Sequence, residues 1–394
     1  LAEGERAFWA GDYVTAELTL FKVLIDDPAA VGAHFYLGRI YQLRGYRTRA
    51  LTHLAAAAGA DFPEAYFFIG LIDFEEKAFG ESAAAYIEYL DYYNDDAAAW
   101  FNLGVTYGAA GKLGDAEDAY RRSLDANQRN VAALQNLAVL YYRQGDYGRA
   151  AFFWRRLLEI APNDAAAYYG LGLTSFTQGD YYGAADAFNG GAALAPLDGR
   201  FFYQLGRSYY VLRNYDLAVG CYTRAYELGY DEGAVAEGLG LAYEARRLYD
   251  RALPLLKKAV ELREGGAGEA VAAMGRIARA RGQPGAALAD FYEAATRLED
   301  DAGVYNQIGE LYLEADLASW AAEAFERAVA ASPADVSFNY NLAVAYERAE
   351  PKRALAQWRR YIELAEGAAG EKRRVADAKK SLIHLQKEYG EEGR

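Results

Sequence analysis

The chain is short of nearly everything that staples or punctuates a protein. Its 394 residues include one cysteine, one methionine, three histidines and eight prolines. A lone thiol, Cys221, excludes an internal disulfide framework and any multi-thiolate metal centre. His34, His53 and His384 stand at spacings that match neither a metal site nor a catalytic triad. So little proline favours long helical stretches over turn-rich folds. Base is scarce as well. A net charge of −14 lacks the basic footprint that phosphate binding needs, so nucleic acid is not expected as a partner. Long apolar runs are also missing. The greasiest segment, YFFIGLIDFEE at 66–76, lies in a run from Ala65 to Ile72, far short of the roughly 20 residues of a membrane helix.

What remains is ample material for a core, since 53% of the residues are hydrophobic and Tyr (34) and Gly (39) are plentiful. The acid is unevenly spread. Residues 61–100 hold ten acids against Lys77 alone, whereas residues 351–394 hold eleven bases against seven acids. The chain begins at Leu1, which leaves room for a removed signal or anchor. That start and the near-absence of Met and Cys lean toward an exported bacterial protein of the periplasm or envelope, with the cytoplasm as the alternative.

An internal period organises the chain. Small residues recur at Gly38, Gly70, Gly104, Ala138, Gly172, Gly206, Gly240, Gly275, Gly309 and Ala343, most often 34 residues apart. Twelve residues after nearly every one stands a second small residue, as at Ala50, Ser82, Ala116, Ala150 and Ala184. Ala16 and Ala354 extend that second series at its ends. Between the two series fall turn glycines such as Gly45, Gly111, Gly145 and Gly179, suited to ending a helix in the left-handed conformation. Pro162, Pro196 and Pro333 close second helices. Four residues after the second small position come large side chains, among them Tyr120, Trp154, Phe188, Tyr222, Phe325 and Trp358. Two antiparallel helices approach closely where both present small residues, and the large residue plugs the remaining gap.

The pattern resembles the tetratricopeptide repeat family, and AAAWFNLGVTYGAAGKLGDAEDAYRRSL at 97–124 is a close match. The resemblance implies an all-α, right-handed superhelical solenoid of antiparallel helix pairs. About eleven repeats would fill residues 1–365, the first one incomplete, with a capping helix and tail at 366–394. Three spacings are irregular: AAAAGADFP is two residues short, REGGAG one too long and AEPKR one short. Each is expected to bend the array locally.

Within this frame apparent catalytic motifs lose their meaning. GLGL at 170–173 and 238–241 follows no strand and completes no glycine fingerprint, so its glycines serve packing. No pair of acids points to a closed pocket, and Cys221 sits beside a plug residue. Neither an enzyme activity nor a cofactor or metal is expected.

Binding is expected on the face of each first helix that turns away from its partner. That stripe runs six, three and two residues before the small slot and one, four and five after it. In the family this stripe lines the concave groove that holds peptides. In the middle of the array it carries Phe101, Tyr142, Tyr169, Phe176, Tyr203 and Tyr210, with Arg143, Arg200 and Arg207 beside them. Amides fall two before the slot at Asn102, Asn136 and Gln204, and again at Gln307 and Asn341. Amides can hold a peptide backbone through donor and acceptor, tyrosines supply stiff contact area and arginines select acids. The series looks like the asparagine ladder of the O-linked N-acetylglucosamine transferases, though here Gly170, Gly238 and Ala273 interrupt it. The same residues serve equally well as contacts between successive helices. Family members that clamp chaperone tails pair a Lys three before the slot with an Asn one after it, and no repeat here has that pair.

Two surfaces therefore stand out. The groove of residues 97–232 is expected to bind a peptide or partner protein, making the chain a scaffold or adaptor. Asp73, Glu75, Glu76, Glu88 and Asp91 form an acidic surface that is either a solvated face or a docking site for the basic end, where Lys372, Arg373 and Arg374 stand. An assembly subunit packed through its ends, or the targeting region of a larger enzyme, are the alternative readings.

Overall fold

The structure is a computed structural model that describes residues 1–59, 61–263, 265–299, 301–368 and 370–389. Ala60 and Glu264, inside two of the irregular linkers, and the end of the expected tail (390–394) lie outside the described residues. Among the described residues there are 23 helices and no strand: eleven successive hairpins and a terminal helix. The chain divides into two compact units, Leu1–Leu194 and Ala195–Arg394.

In the first unit the hairpins are α1 (Ala2–Trp9) with α2 (Tyr13–Asp26), α3 (Val31–Leu43) with α4 (Arg47–Ala57), and α5 (Glu64–Glu75) with α6 (Phe79–Tyr92). Then follow α7 (Ala97–Ala109) with α8 (Leu113–Ala126), α9 (Val131–Arg143) with α10 (Tyr147–Ile160), and α11 (Ala165–Thr177) with α12 (Tyr181–Leu194). The second unit begins with α13 (Gly199–Val211) and α14 (Tyr215–Glu227), then α15 (Glu232–Ala245) and α16 (Tyr249–Leu262). Next come α17 (Gly268–Ala280) with α18 (Pro284–Arg297), and α19 (Ala302–Glu314) with α20 (Ala318–Ala331). The last pair is α21 (Val336–Ala349) with α22 (Pro351–Ala365), and α23 (Lys372–Tyr389) ends the described chain.

Each hairpin closes on its small residues. A β-carbon built on Gly104 would lie 2.6 Å from the Tyr120 ring, and one on Gly172 would lie 2.5 Å from Phe188. The plug residues thus rest directly on the facing helix, and Tyr222, Phe188, Phe291 and Phe325 are buried there. The first repeat is more complete than its sequence implied. Gly4, 34 residues before Gly38, is its small slot, with the position of a β-carbon 2.8 Å from Leu20.

Most first helices start on side-chain caps. Asp96, Asp164, Asp198, Asp301 and Asp335 each accept a hydrogen bond from a backbone N–H of the first turn, as does Asn130. The turns inside the hairpins are left-handed: Gly45, Gly111 and Gly145 have φ of 76°, 76° and 79°. Lys77, Arg213, Arg247 and Asp316 hold the same conformation with φ of 58–62° despite carrying a β-carbon.

Neighbouring repeats are stapled by a recurring tyrosine. Tyr41 donates to Glu17 (2.9 Å), Tyr141 to Glu117 (2.6 Å) and Tyr346 to Glu326 (2.5 Å), each reaching back to the preceding second helix. An arginine lies over each ring: Arg49 at 5.7 Å, Arg149 at 4.3 Å and Arg353 at 4.3 Å. The irregular spacings show locally. α4 has 11 residues where most second helices have 14, and Glu350 alone connects α21 to α22. On α22 the rings of Trp358 and Tyr361 share a core with Ala378 and Leu385 of α23.

Candidate groove on the first helices

In the first unit, α7, α9 and α11 place their free stripes side by side. Two hollows of about 380 and 320 Å³ adjoin there. Val105 and Gly108 of α7 with Tyr120 and Asn136 line one, and Trp154, Tyr169 and Leu173 line the other. Val139 and Arg143 of α9 line both and so form the ridge between them. Val105, Val139 and Leu173 are the residues one after the slot in three successive repeats, so the hollows follow the stripe expected from the periodicity. Arg143 is exposed, and among the described residues it has no acid partner.

The hollows bring Asn136, Tyr142, Arg143 and Tyr169 together. Phe101 stands beside them, half-buried with its ring centroid 5.9 Å from that of Tyr120. The remaining aromatic, Phe176, packs edge-on against Tyr181 at 5.1 Å.

The amides turn inward. Asn136 donates to the Tyr120 hydroxyl at 3.2 Å, and the Asn102 amide meets the hydroxyl of Tyr86. Burial pushes both phenols up, and the amides partly offset that by hydrogen bonding. The position two before the slot therefore faces the plug ring of the preceding repeat. This also explains the interruption at Gly170, where a β-carbon would lie 2.4 Å from the Trp154 indole, and at Gly238, where it would meet Tyr222 at 2.6 Å.

In the second unit the same stripe is occupied by its own charges. Arg200 pairs with Asp198 at 2.7 Å, at the cap of its own helix. Tyr203 packs against Tyr222 and Tyr230 with centroids 5.9 and 5.4 Å away, and burial raises its phenol. Gln204 is buried and accepts from Arg207 at 3.0 Å, which leaves it no open amide surface. Tyr210 is half-buried beside Tyr215. Further along, Glu237 pairs with Arg263, Glu244 with Arg276, and Arg279 with Glu310 and Glu314. Gln307 accepts from Arg279, and Asn341 donates to Asn306 at 2.8 Å. These neutralised ladders contrast with the apolar hollows around Arg143.

The acidic residues do not gather in one place. Asp73 is half-buried, and Glu75 and Glu76 at the hairpin turn both face Arg47 of the preceding repeat, at 3.3 and 2.5 Å. Glu88 and Asp91 are exposed at the far end of α6, roughly 15 Å along the helix from its start. At the other terminus Arg374, Lys379 and Lys380 pair with Glu371, Glu366 and Asp377.

Elsewhere the structure shows one contact that sequence spacing did not reveal. His34 Nδ1 lies 2.9 Å from His53 Nδ1, while His34 Nε2 is 3.0 Å from the Pro28 carbonyl oxygen. Those two contacts set His34 as the Nε2–H tautomer and make His53 the donor between the rings. Burial, then the neighbouring imidazole, lowers the pKa of His53. Burial raises the Cys221 thiol to about 11, which keeps it protonated and unreactive at neutral pH. Among the described residues no three His, Cys, Asp or Glu side chains gather as metal ligands, and no helix is long and apolar enough to cross a membrane.

Comparison with known proteins matches this construction. Sequence models of the tetratricopeptide repeat match residues 75–130 and 203–267, and a second such model matches 109–172. Over those stretches the chain is built of tetratricopeptide repeats. The C-terminal part of a tetratricopeptide repeat-containing protein from Cytophaga hutchinsonii is similar in fold, at a TM-score of 0.53 and 15% identity over 60% of this chain and 98% of that one. A MamA protein aligns at 27% identity over 43% of this chain and 93% of its own, with a TM-score of 0.41. Cut9 in the APC/C hetero-tetramer Cut9–Hcn1 aligns at 12% identity over 98% and 95%, with a TM-score of 0.48. No curated protein matches the chain in sequence. As a tetratricopeptide repeat array the chain has the architecture of a protein-interaction scaffold.

Proposed function

We propose that this repeat protein is a non-catalytic adaptor that holds an extended segment of a partner protein along α7, α9 and α11. The observation that carries the reading is the pair of adjoining apolar hollows that share the exposed Arg143. Two hollows one repeat apart suit two apolar side chains of an extended peptide, and the cation on the ridge suits an acidic residue between them. The half-buried aromatic walls are held by packing, so little side-chain entropy is lost on binding. The inward amides shape the walls.

A random peptide library displayed on phage tests this directly. Peptides selected on the wild-type chain should carry an acid flanked by apolar residues. Val139→Glu and Arg143→Glu should each weaken a selected peptide at least about tenfold, the loss of one anchoring contact. Arg155→Glu, on the exposed side of α10, should leave binding unchanged. Selected peptides that bind all three variants alike would show that the groove is elsewhere.

A further inference from the structure

The outer face of α2 differs from that of every other second helix. Val14, Leu18, Phe21 and Ile25 are 62%, 62%, 39% and 79% exposed. Their spacing of four, three and four residues puts them in one line along the helix, opposite Ala16 and Leu20, which are buried against the first repeats. The corresponding positions of α8 are Gly114, Asp118, Arg121 and Asp125, and those of α16 are Asp250, Pro254, Lys257 and Glu261. No other second helix sets four large apolar residues there.

A 4-3-4 seam is what a second helix needs in order to pack lengthwise at a shallow angle. The stripe is also self-complementary. About a two-fold axis midway between Leu18 and Phe21, Val14 meets Ile25 of a second copy and Leu18 meets its Phe21, so smaller side chains face larger ones. The antiparallel arrangement opposes the two helix dipoles. Together these four side chains expose roughly 400 Å² per chain, so a symmetric pair removes roughly 800 Å² from water, the size of a weak, transient contact.

We propose that this face is a homodimer contact in which α2 of one chain packs antiparallel on α2 of a second copy. It is independent of the groove on α7, α9 and α11. The small area makes the dimer weak and reversible, with dissociation in roughly the hundred-micromolar range. Sedimentation velocity from low micromolar to near-millimolar concentration is the test. The wild-type chain should move from monomer to dimer across that range. Leu18→Glu and Phe21→Lys should each remain monomeric at least about tenfold further up the scale, with helix content unchanged by circular dichroism. Mixed together, these two variants should form a heterodimer, because antiparallel packing sets the glutamate against the lysine. A wild-type chain that stays monomeric throughout, a dimer that survives Leu18→Glu, or a mixture that fails to pair would each overturn the proposal. Binding to neutral phospholipid vesicles without dimerisation would overturn it too.

Discussion

Four hairpin turns hold a left-handed backbone without glycine, and at the three whose side chains have no partner, replacement should stabilise the array. Lys77, Arg213 and Arg247 sit at φ of 62°, 58° and 59°, where other repeats carry Gly at φ of 72–83°. All three side chains are exposed and make no hydrogen bond or ion pair among the described residues, so the substitution removes only the β-carbon. An L-residue in this conformation costs about 1–2 kcal/mol, and glycine gives back about 0.5–1 kcal/mol through the entropy of the unfolded chain. The net gain is about 0.5–1 kcal/mol for each of Lys77→Gly, Arg213→Gly and Arg247→Gly. The sites lie in separate repeats, so the gains should add. Repeat arrays transmit stability mainly to nearest neighbours, which makes hydrogen exchange the right assay. In Lys77→Gly, amides of α5 and α6 should exchange about two- to fivefold more slowly while those of α9 and α10 are unchanged. Faster exchange around residue 77, or an equal effect everywhere, would refute the reasoning.

Other expectations follow from the same packing. Gly172→Ala forces a β-carbon to 2.5 Å from Phe188 and should cost about 1–3 kcal/mol in urea unfolding, part of it recovered by Phe188→Leu. Burial, then the charge of Glu81, raises the Asp73 pKa above its ordinary 3.8. Its favourable contribution is complete below pH 3.8 and lost as pH rises through the folded value, so Asp73→Asn should raise the urea midpoint at neutral pH and leave it unchanged below pH 3.8. His53 behaves oppositely, because its folded pKa lies below 6.5. Its contribution is present above pH 6.5 and lost as pH falls through the folded value, so acidification should speed exchange in α3 and α4, and His53→Phe should remove that dependence.

Much of this molecule is legible in its sequence because a repeat states the same rule many times. The 34-residue interval from Gly70 to Gly104 and the plug four after each second small residue both reappear as contacts, Gly104 on Tyr120 being typical. Gly4 obeyed the interval but lay in a helix of only eight residues, too short to display the remaining pattern. The face of each first helix that turns from its partner also follows from helical spacing, and Val105, Val139 and Leu173 on it line the two hollows. What spacing cannot convey is the partner of each polar group. Asn136 and Gln204 occupy equivalent positions, yet one reaches a tyrosine hydroxyl and the other is buried beneath an arginine. The acids around Glu75 read as one patch in sequence, but antiparallel helices carry Glu88 away from it, and Arg47 pairs with Glu75 and Glu76. His34 and His53 meet only because two helices of one hairpin bring them together from 19 residues apart.

The central claim is that partner chains lie along α7, α9 and α11. Placing a photo-cross-linking amino acid at Val139, at Leu173 and at the outward-facing Arg155 would test it most directly. A peptide selected on the wild-type chain should be captured from 139 and 173 and not from 155. Capture from 155, or none from 139 and 173, would contradict the account.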